Sequence, residues 1–182
     1  MASHNLAKID IDDLEITGYS VAGEETVVAI PRLDVCFDIG KAPDQVISVN
    51  NVLISHGHID HTAGIAYYLS HRNFCGQTPG TIVVPDKLVP PVRQIISAWG
   101  QLDGNTVPVN MVGVKPGDIH RIKPNLIARV FPTNHSRSSV GYSVIETRKK
   151  IKPEYARLNS SQIVELKKQG ITIDNPIEIP LV

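Results

Sequence analysis

From Leu14 to Phe37 the chain reads LEITGYSVAGEETVVAIPRLDVCF, rich in β-branched residues and interrupted at Ala22-Gly23-Glu24 and Pro31-Arg32. That pattern predicts a meander of short strands. Asp38-Ile39-Gly40 breaks the pattern, Pro43 to Ser48 reads as a helical turn, and Asn51 to Ser55 (NVLIS) reads as a short buried strand. After His61 the apolar series Ile65, Ala66, Leu69 follows helical spacing, with Asp60 or Thr62 as N-cap candidates. Thr81 to Val84 is a further strand. Pro90-Pro91 then opens a helix whose positions Val92, Ile95, Ile96 and Trp99 are expected in the core, with Gly100 as its stop.

The second part of the chain turns β-rich again. Strands are predicted at Val107 to Val114, Ile119 to Ile122, Leu126 to Phe131 and Val140 to Glu146, separated by PGD, KPN and the polar stretch TNHSRSS. Asn159 begins a helix through Lys168, with Gln162 at the capping-box position and Gly170 as its stop. The final ITIDNPIEIPLV reads as a strand confined by its prolines to a sheet edge. Strands and helices mixed in this order give an α/β (α+β) chain, with sheets flanked by helices rather than a plain βαβ array.

Bulk properties narrow the picture. With 182 residues, 42% hydrophobic and 20% charged, the chain is expected to form a single domain with its own core. Lys plus Arg and Asp plus Glu both number 18, so no global basic field marks it for nucleic acid. The local run Arg148, Lys149, Lys150, Lys152 reads as a solvated face. Cys36 and Cys75 lie far apart without CxxC spacing and read as reduced, half-buried thiols. MASHNLAKIDIDD has no apolar signal-like core, and no stretch is apolar enough to span a bilayer, so no membrane partner and a cytoplasmic location are expected.

The chemistry concentrates in Ile54 to His61, ISHGHIDH. His56 and His58 are alternate residues on extended backbone, so both imidazoles point to one side and can meet one metal ion. Asp60 and His61 follow where the chain bends, placed for a second metal, and Gly57 keeps the turn open. The cluster thus occupies a strand-to-helix turn, where layered α/β folds carry their sites. His71, at a predicted helix end, suits the negative end of the helix dipole. His120 reads as a strand-edge residue and His4 as part of a mobile terminus.

HxHxDH at such a turn, with Asp38-Ile39-Gly40 upstream and His135-Ser136-Arg137-Ser138-Ser139-Val140-Gly141-Tyr142 downstream, resembles the metallo-β-lactamase superfamily, and within it the ribonuclease Z group. The resemblance covers residues 14 to 150 or so. It implies an αββα sandwich, of which this chain provides the first half and the start of the second. It implies two zinc ions, the first held by His56, His58 and His135 and the second by Asp60 and His61, with Asp60 also orienting or deprotonating the nucleophile. The implied reaction is cleavage of a phosphodiester by zinc-bound hydroxide, the 3′ trailer of precursor tRNA being one such substrate.

The chain departs from that family's pattern in three places. No Gly-Asp-Thr stretch supplies a bridging aspartate, no histidine follows His135, and Asp174 is the one later aspartate. The second zinc is therefore expected to bind weakly in this chain alone. The segment IKPEYARLNSSQIVELKKQG reads as a compact amphipathic helix where the family carries a Gly/Pro-rich arm that clamps tRNA. The expectation is a portion of a longer enzyme, or a chain completed by a homodimer partner or a complementary C-terminal chain. Three readings stand at this point: a ribonuclease Z-type hydrolase, a metallo-hydrolase of a small ester, thioester or cyclic nucleotide, and a non-catalytic half-domain acting as a subunit.

Overall fold

The computed structural model describes residues 6–135 and 138–182; His4, Ser136 and Arg137 lie outside the described residues. Two sheets stack on one another. The first runs in chain order from β1 (Ala7–Ile11) through β2 (Leu14–Val21), β3 (Glu25–Ile30), β4 (Val35–Phe37), β5 (Asn51–Leu53) and β6 (Thr81–Pro85) to β7 (Asn110–Val114). Its first four strands form an antiparallel meander, and β4 to β7 are parallel. Parallel neighbours need crossovers. These are supplied by the loop with the 3-10 turn Asp44–Val46 between β4 and β5, by α1 (Ile59–Thr62) with α2 (Ile65–Phe74) between β5 and β6, and by α3 (Val89–Asp103) between β6 and β7. The second sheet is antiparallel, ordered β11 (Asp174–Pro180), β10 (Val140–Ile151), β9 (Leu126–Pro132), β8 (Ile119–Lys123), with α4 (Ser160–Lys168) between β10 and β11 in the chain.

The central strands are apolar on both faces because both are covered. Cys36, Val52, Ile82 and Val84 face α2 and α3, meeting Ile65, Tyr68, Leu69, Val92 and Ile96. Val35, Leu53 and Val83 point the other way, onto Leu126, Ala128, Val130, Val140, Tyr142 and Val144 of the second sheet. The result is helix, sheet, sheet: three of the four layers the sequence implied. α4 buries none of its residues fully.

Several local expectations are corrected. β1 pairs with β2 ahead of the predicted meander; its polar alternation is too weak to read alone, and all five of its residues are exposed. α3 runs past Gly100 to Asp103 and stops at Gly104, whose φ of 71° supplies the left-handed cap. Gly100 is needed for close approach: a Cβ there would lie 2.7 Å from the Asn105 carbonyl oxygen. Val92 and Ile96 enter the core, but Ile95 and Trp99 are each 54% exposed, since the helix turns only one stripe inward. The last two-thirds of the expected Val107 strand survives as β7, whereas β10 continues to Ile151 because β11 pairs along it. Cys36 is buried and Cys75 exposed, so neither is half-buried. The capping box at Asn159 and Gln162 forms with both of its hydrogen bonds, and β11 is a sheet edge. Among the described residues, no helix is long and apolar enough to cross a membrane.

Candidate metal centre

β5 ends at Leu53, and the chain then lifts off the sheet into the histidine turn. Its path is fixed from three sides by backbone hydrogen bonds. Ile54 N–H donates to Val83 O (2.8 Å), and Val140 N–H from β10 donates to Ser55 O (2.9 Å). From the Asp38–Gly40 loop, Ile39 N–H donates to His61 O (3.0 Å), while Gly64 N–H donates back to Gly40 O (2.7 Å). The buried Tyr142 adds a hydroxyl donated to Ile54 O at 2.8 Å. Strand β10 is thereby locked against the turn, and the loop before it brings in His135.

The rings of His56, His58 and His135 converge: centroids are 4.5 Å apart for His56 and His58, 4.7 Å for His56 and His135, and 5.2 Å for His58 and His135. One ligand nitrogen from each lies within 4.8 Å of the others. His56 is buried, while His58 and His135 are exposed, so the group has a closed floor and an open mouth.

Asp38 is the buried organiser of this floor. It sits at φ 53°, a left-handed conformation that Asp tolerates better than most residues, and is 5% exposed. Its Oδ1 accepts from Ser55 N–H (2.8 Å), the Ser55 hydroxyl reaches Oδ2 (2.8 Å), and Oδ2 also meets His61 Nδ1 at 2.7 Å. Burial pushes the Asp38 carboxyl above the usual carboxylate range, against the opposing pull of His61 and Ser55. With its own proton directed to Asp38, the Ser55 oxygen accepts from His56 Nδ1–H at 2.9 Å. That fixes the His56 tautomer and leaves Nε2 unprotonated. Nε2 is buried and has no hydrogen-bond partner among the described residues. A buried lone pair beside two further imidazoles suits a cation acceptor, so the donor set fits a metal. Burial first, then the neighbouring histidines, lower the His56 pKa to about 4, keeping the ring in the neutral form a metal requires.

Asp60 and His61 stand together on α1 beside this group. The Asp38 contact makes His61 Nδ1 the protonated nitrogen of the neutral ring. Its Nε2 then lies 3.6 Å from Asp60 Oδ2, two acceptors facing each other. Asp60 Oδ2 also accepts Gly23 N–H at 2.9 Å from the β2–β3 turn, and this bond chiefly lowers its pKa. Neither Asp60 nor Thr62 is the N-cap: His58 occupies that position for α1 and Gly64 for α2, neither with a side-chain cap. Asp60 is committed to the Gly23 amide, and Thr62 donates its hydroxyl to His58 O at 2.9 Å.

All five expected site residues thus lie in one neighbourhood, three as a convergent group and two as an adjacent pair. The sequence reading assigned no role to Ser55, Gly23 or the Asp38 side chain. Asp38 carried a signal in its Asp-x-Gly context, but the other two are recognisable only once the fold brings them close. The other described histidines are elsewhere. His71 stacks on Tyr67 at 5.4 Å in the last turn of α2. His120, on edge strand β8, meets Asn51 Oδ1 at 3.1 Å, and burial lowers its pKa.

Comparison with known proteins matches residues 35–152 to the family described as the beta-lactamase superfamily domain. The chain is 34% identical over 172 residues to tRNase Z TRZ1 of Arabidopsis thaliana, covering 94% of this chain and 61% of that protein. It is 31% identical over 182 residues to the chloroplastic tRNase Z TRZ2 of the same plant, covering 98% and 51%. A nuclear ribonuclease Z of Triticum aestivum is 31% identical over 170 residues, covering 93% of this chain and 97% of the relative. The chain therefore spans between half and two-thirds of the two Arabidopsis proteins.

Proposed function

Because the chain belongs to the beta-lactamase superfamily, and within it to the ribonuclease Z group, we propose that it carries the zinc-holding portion of a hydrolase that cuts RNA phosphodiesters, with the 3′ trailer of precursor tRNA as substrate. The observation that carries this reading is the three-histidine group with the bare, buried Nε2 of His56. In this proposal His56, His58 and His135 hold one zinc, while Asp60 and His61 contribute to a second whose remaining ligands come from a further segment or a partner chain. When bound, zinc supplies Lewis acidity and a water of lowered pKa.

The chain's own residues prepare that chemistry. The Asp38 carboxylate and the Ser55 hydroxyl orient two imidazoles from one buried point, which keeps the ligand geometry fixed before metal arrives. Asp60, held by the Gly23 amide on one oxygen, is placed to orient the attacking water or take its proton. The open side of the group, at His58 and His135, leaves room for a polymer to approach.

Parallel assays on precursor tRNA and on a bis-aryl phosphodiester, with and without zinc, test the proposal. Zinc-dependent cleavage of both supports it. Turnover of the bis-aryl substrate alone favours a small-molecule hydrolase, and turnover of neither leaves the half-domain reading in its place.

A further inference from the structure

Two of the described carboxylates are buried: Asp38 and, at the start of β3, Glu25, which is 2% exposed. Burying a carboxylate is costly unless it is hydrogen-bonded or paired, so the second one needs a purpose. Its ion pair does not supply one, since Lys41 Nζ stands 3.9 Å from Oε2 on a half-exposed side chain, a contact that solvent weakens. The firmer contact is to backbone. Glu25 Oε1 accepts Lys41 N–H at 2.8 Å. The rest of the side chain lies against Gly40, where an added Cβ would come 2.5 Å from Glu25 Cγ and 2.6 Å from Oε1.

The turn that Glu25 touches is the one that carries Asp38. Asp38, Gly40 and Ala42 have φ values of 53°, 50° and 59°, so left-handed residues alternate along it. Two of them are not glycine and are held against their steric preference. Such a turn keeps its shape only through partners outside itself. Asp38 N–H donates to Leu53 O and Ile39 N–H to His61 O, both at 3.0 Å, which ties the first half of the turn to β5 and α1. In the second half, Lys41 N–H depends on a side chain, and that side chain is Glu25. Gly23, in the β2–β3 turn just ahead of Glu25, donates its N–H to Asp60 Oδ2 at 2.9 Å. The end of this hairpin therefore grips both the Asp38 turn and α1.

We infer that Glu25 is a positioning residue of the metal centre, acting through the Lys41 amide and Gly40 to keep the Asp38 carboxylate on His61 and Ser55. The inference rests on the metal-holding reading above and traces the selection of the His61 tautomer one residue further back, to β3. The role needs the acceptor oxygen and the volume of the side chain, not its charge. Gln therefore replaces Glu25, while Met, of similar volume but without an oxygen, does not.

The test compares Glu25→Met, Glu25→Gln and, as a core change on α3 away from the turn, Ile96→Val. Two quantities are read: the His61 ring tautomer in the metal-free chain, from nitrogen chemical shifts, and zinc affinity, by competition with a chelator. Glu25→Met is expected to move His61 from its Nδ1-protonated form toward the Nε2-protonated one. It is also expected to weaken zinc binding about 10-fold, the low end for loss of an orienting partner. Glu25→Gln keeps both wild-type values, and Ile96→Val lowers the melting temperature while leaving both unchanged. Wild-type tautomer and affinity in Glu25→Met, a Glu25→Gln chain that behaves as Glu25→Met does, or an equal loss in Ile96→Val overturns the inference. Should Glu25→Met fail to fold, hydrogen exchange on the wild type decides: the amide of the exposed Lys41 is protected if Glu25 holds it, and free exchange there refutes the role. A wild type that takes up no zinc defeats the metal reading, while the tautomer comparison, made without metal, still decides the role of Glu25.

Discussion

Replacing Asp38 by Asn separates the role of its charge from its shape. Asn fits the same space and tolerates the left-handed backbone at φ 53°, so the loop itself is preserved. What changes is the hydrogen-bond sense. The carboxylate accepts from the Ser55 amide, the Ser55 hydroxyl and His61 Nδ1, and an amide must present a donor where one of those acceptors stood. If the amide group faces His61, that ring must protonate Nε2 instead, which removes its lone pair toward Asp60. Loss of one buried charge-assisted hydrogen bond costs about 2 kcal/mol, about 4–8 °C in melting temperature for a chain of this size. Loss of an orienting partner lowers metal affinity about 10–100-fold. Thermal melts of the metal-free chain and competition titration with a zinc chelator measure the two effects. An Asp38→Asn chain with wild-type melting and wild-type zinc affinity would refute the claim that this carboxylate sets both rings.

Two further outcomes follow from the packing and the charges. The His56 pKa is lowered from the usual 6.5 to about 4, so the unfolded chain binds more protons than the folded one between those values. The contribution of this ring to metal-free stability is complete above about pH 6.5 and is lost as pH falls toward 4; on the order of 3 kcal/mol is involved, measurable as a falling urea midpoint, and a flat profile over that range would contradict the assignment. Gly64→Ala places a Cβ against the Ala42 amide nitrogen and 2.6 Å from the Lys41 carbonyl carbon, backbone atoms that cannot rotate away. It is expected to cost about 1–3 kcal/mol and to weaken zinc binding by shifting α1, whereas wild-type stability would show that the two loops separate easily.

The part of the fold governed by local rules was legible in the sequence. The apolar run at Asn51 to Ser55, the alternate histidines and the Asn159 capping box each depend on neighbours a few residues away; the strand forms over Asn51–Leu53 only, His56 and His58 converge, and the capping box closes. Features set by distant contacts were not legible. Gly100 looks like a helix stop, yet it is glycine because the Asn105 carbonyl passes over it. Asp60 looks like an N-cap, yet its carboxylate is taken by Gly23, 37 residues earlier. Trp99 sits at core spacing on an α3 stripe that the sheet does not reach. The same limit applied to the site: the histidines announce themselves by spacing, while the Asp38 and Ser55 framework that selects their tautomers appears only when β4, β5 and α1 are brought together.

The central claim is that His56, His58 and His135 hold a metal ion. It is tested most directly by zinc stoichiometry, measured by elemental analysis on purified chain after zinc loading and removal of excess. Stoichiometric zinc is expected on the wild type, with its loss in both His56→Ala and His58→Ala and the circular dichroism of the fold retained. Stoichiometric zinc persisting in both variants would contradict it.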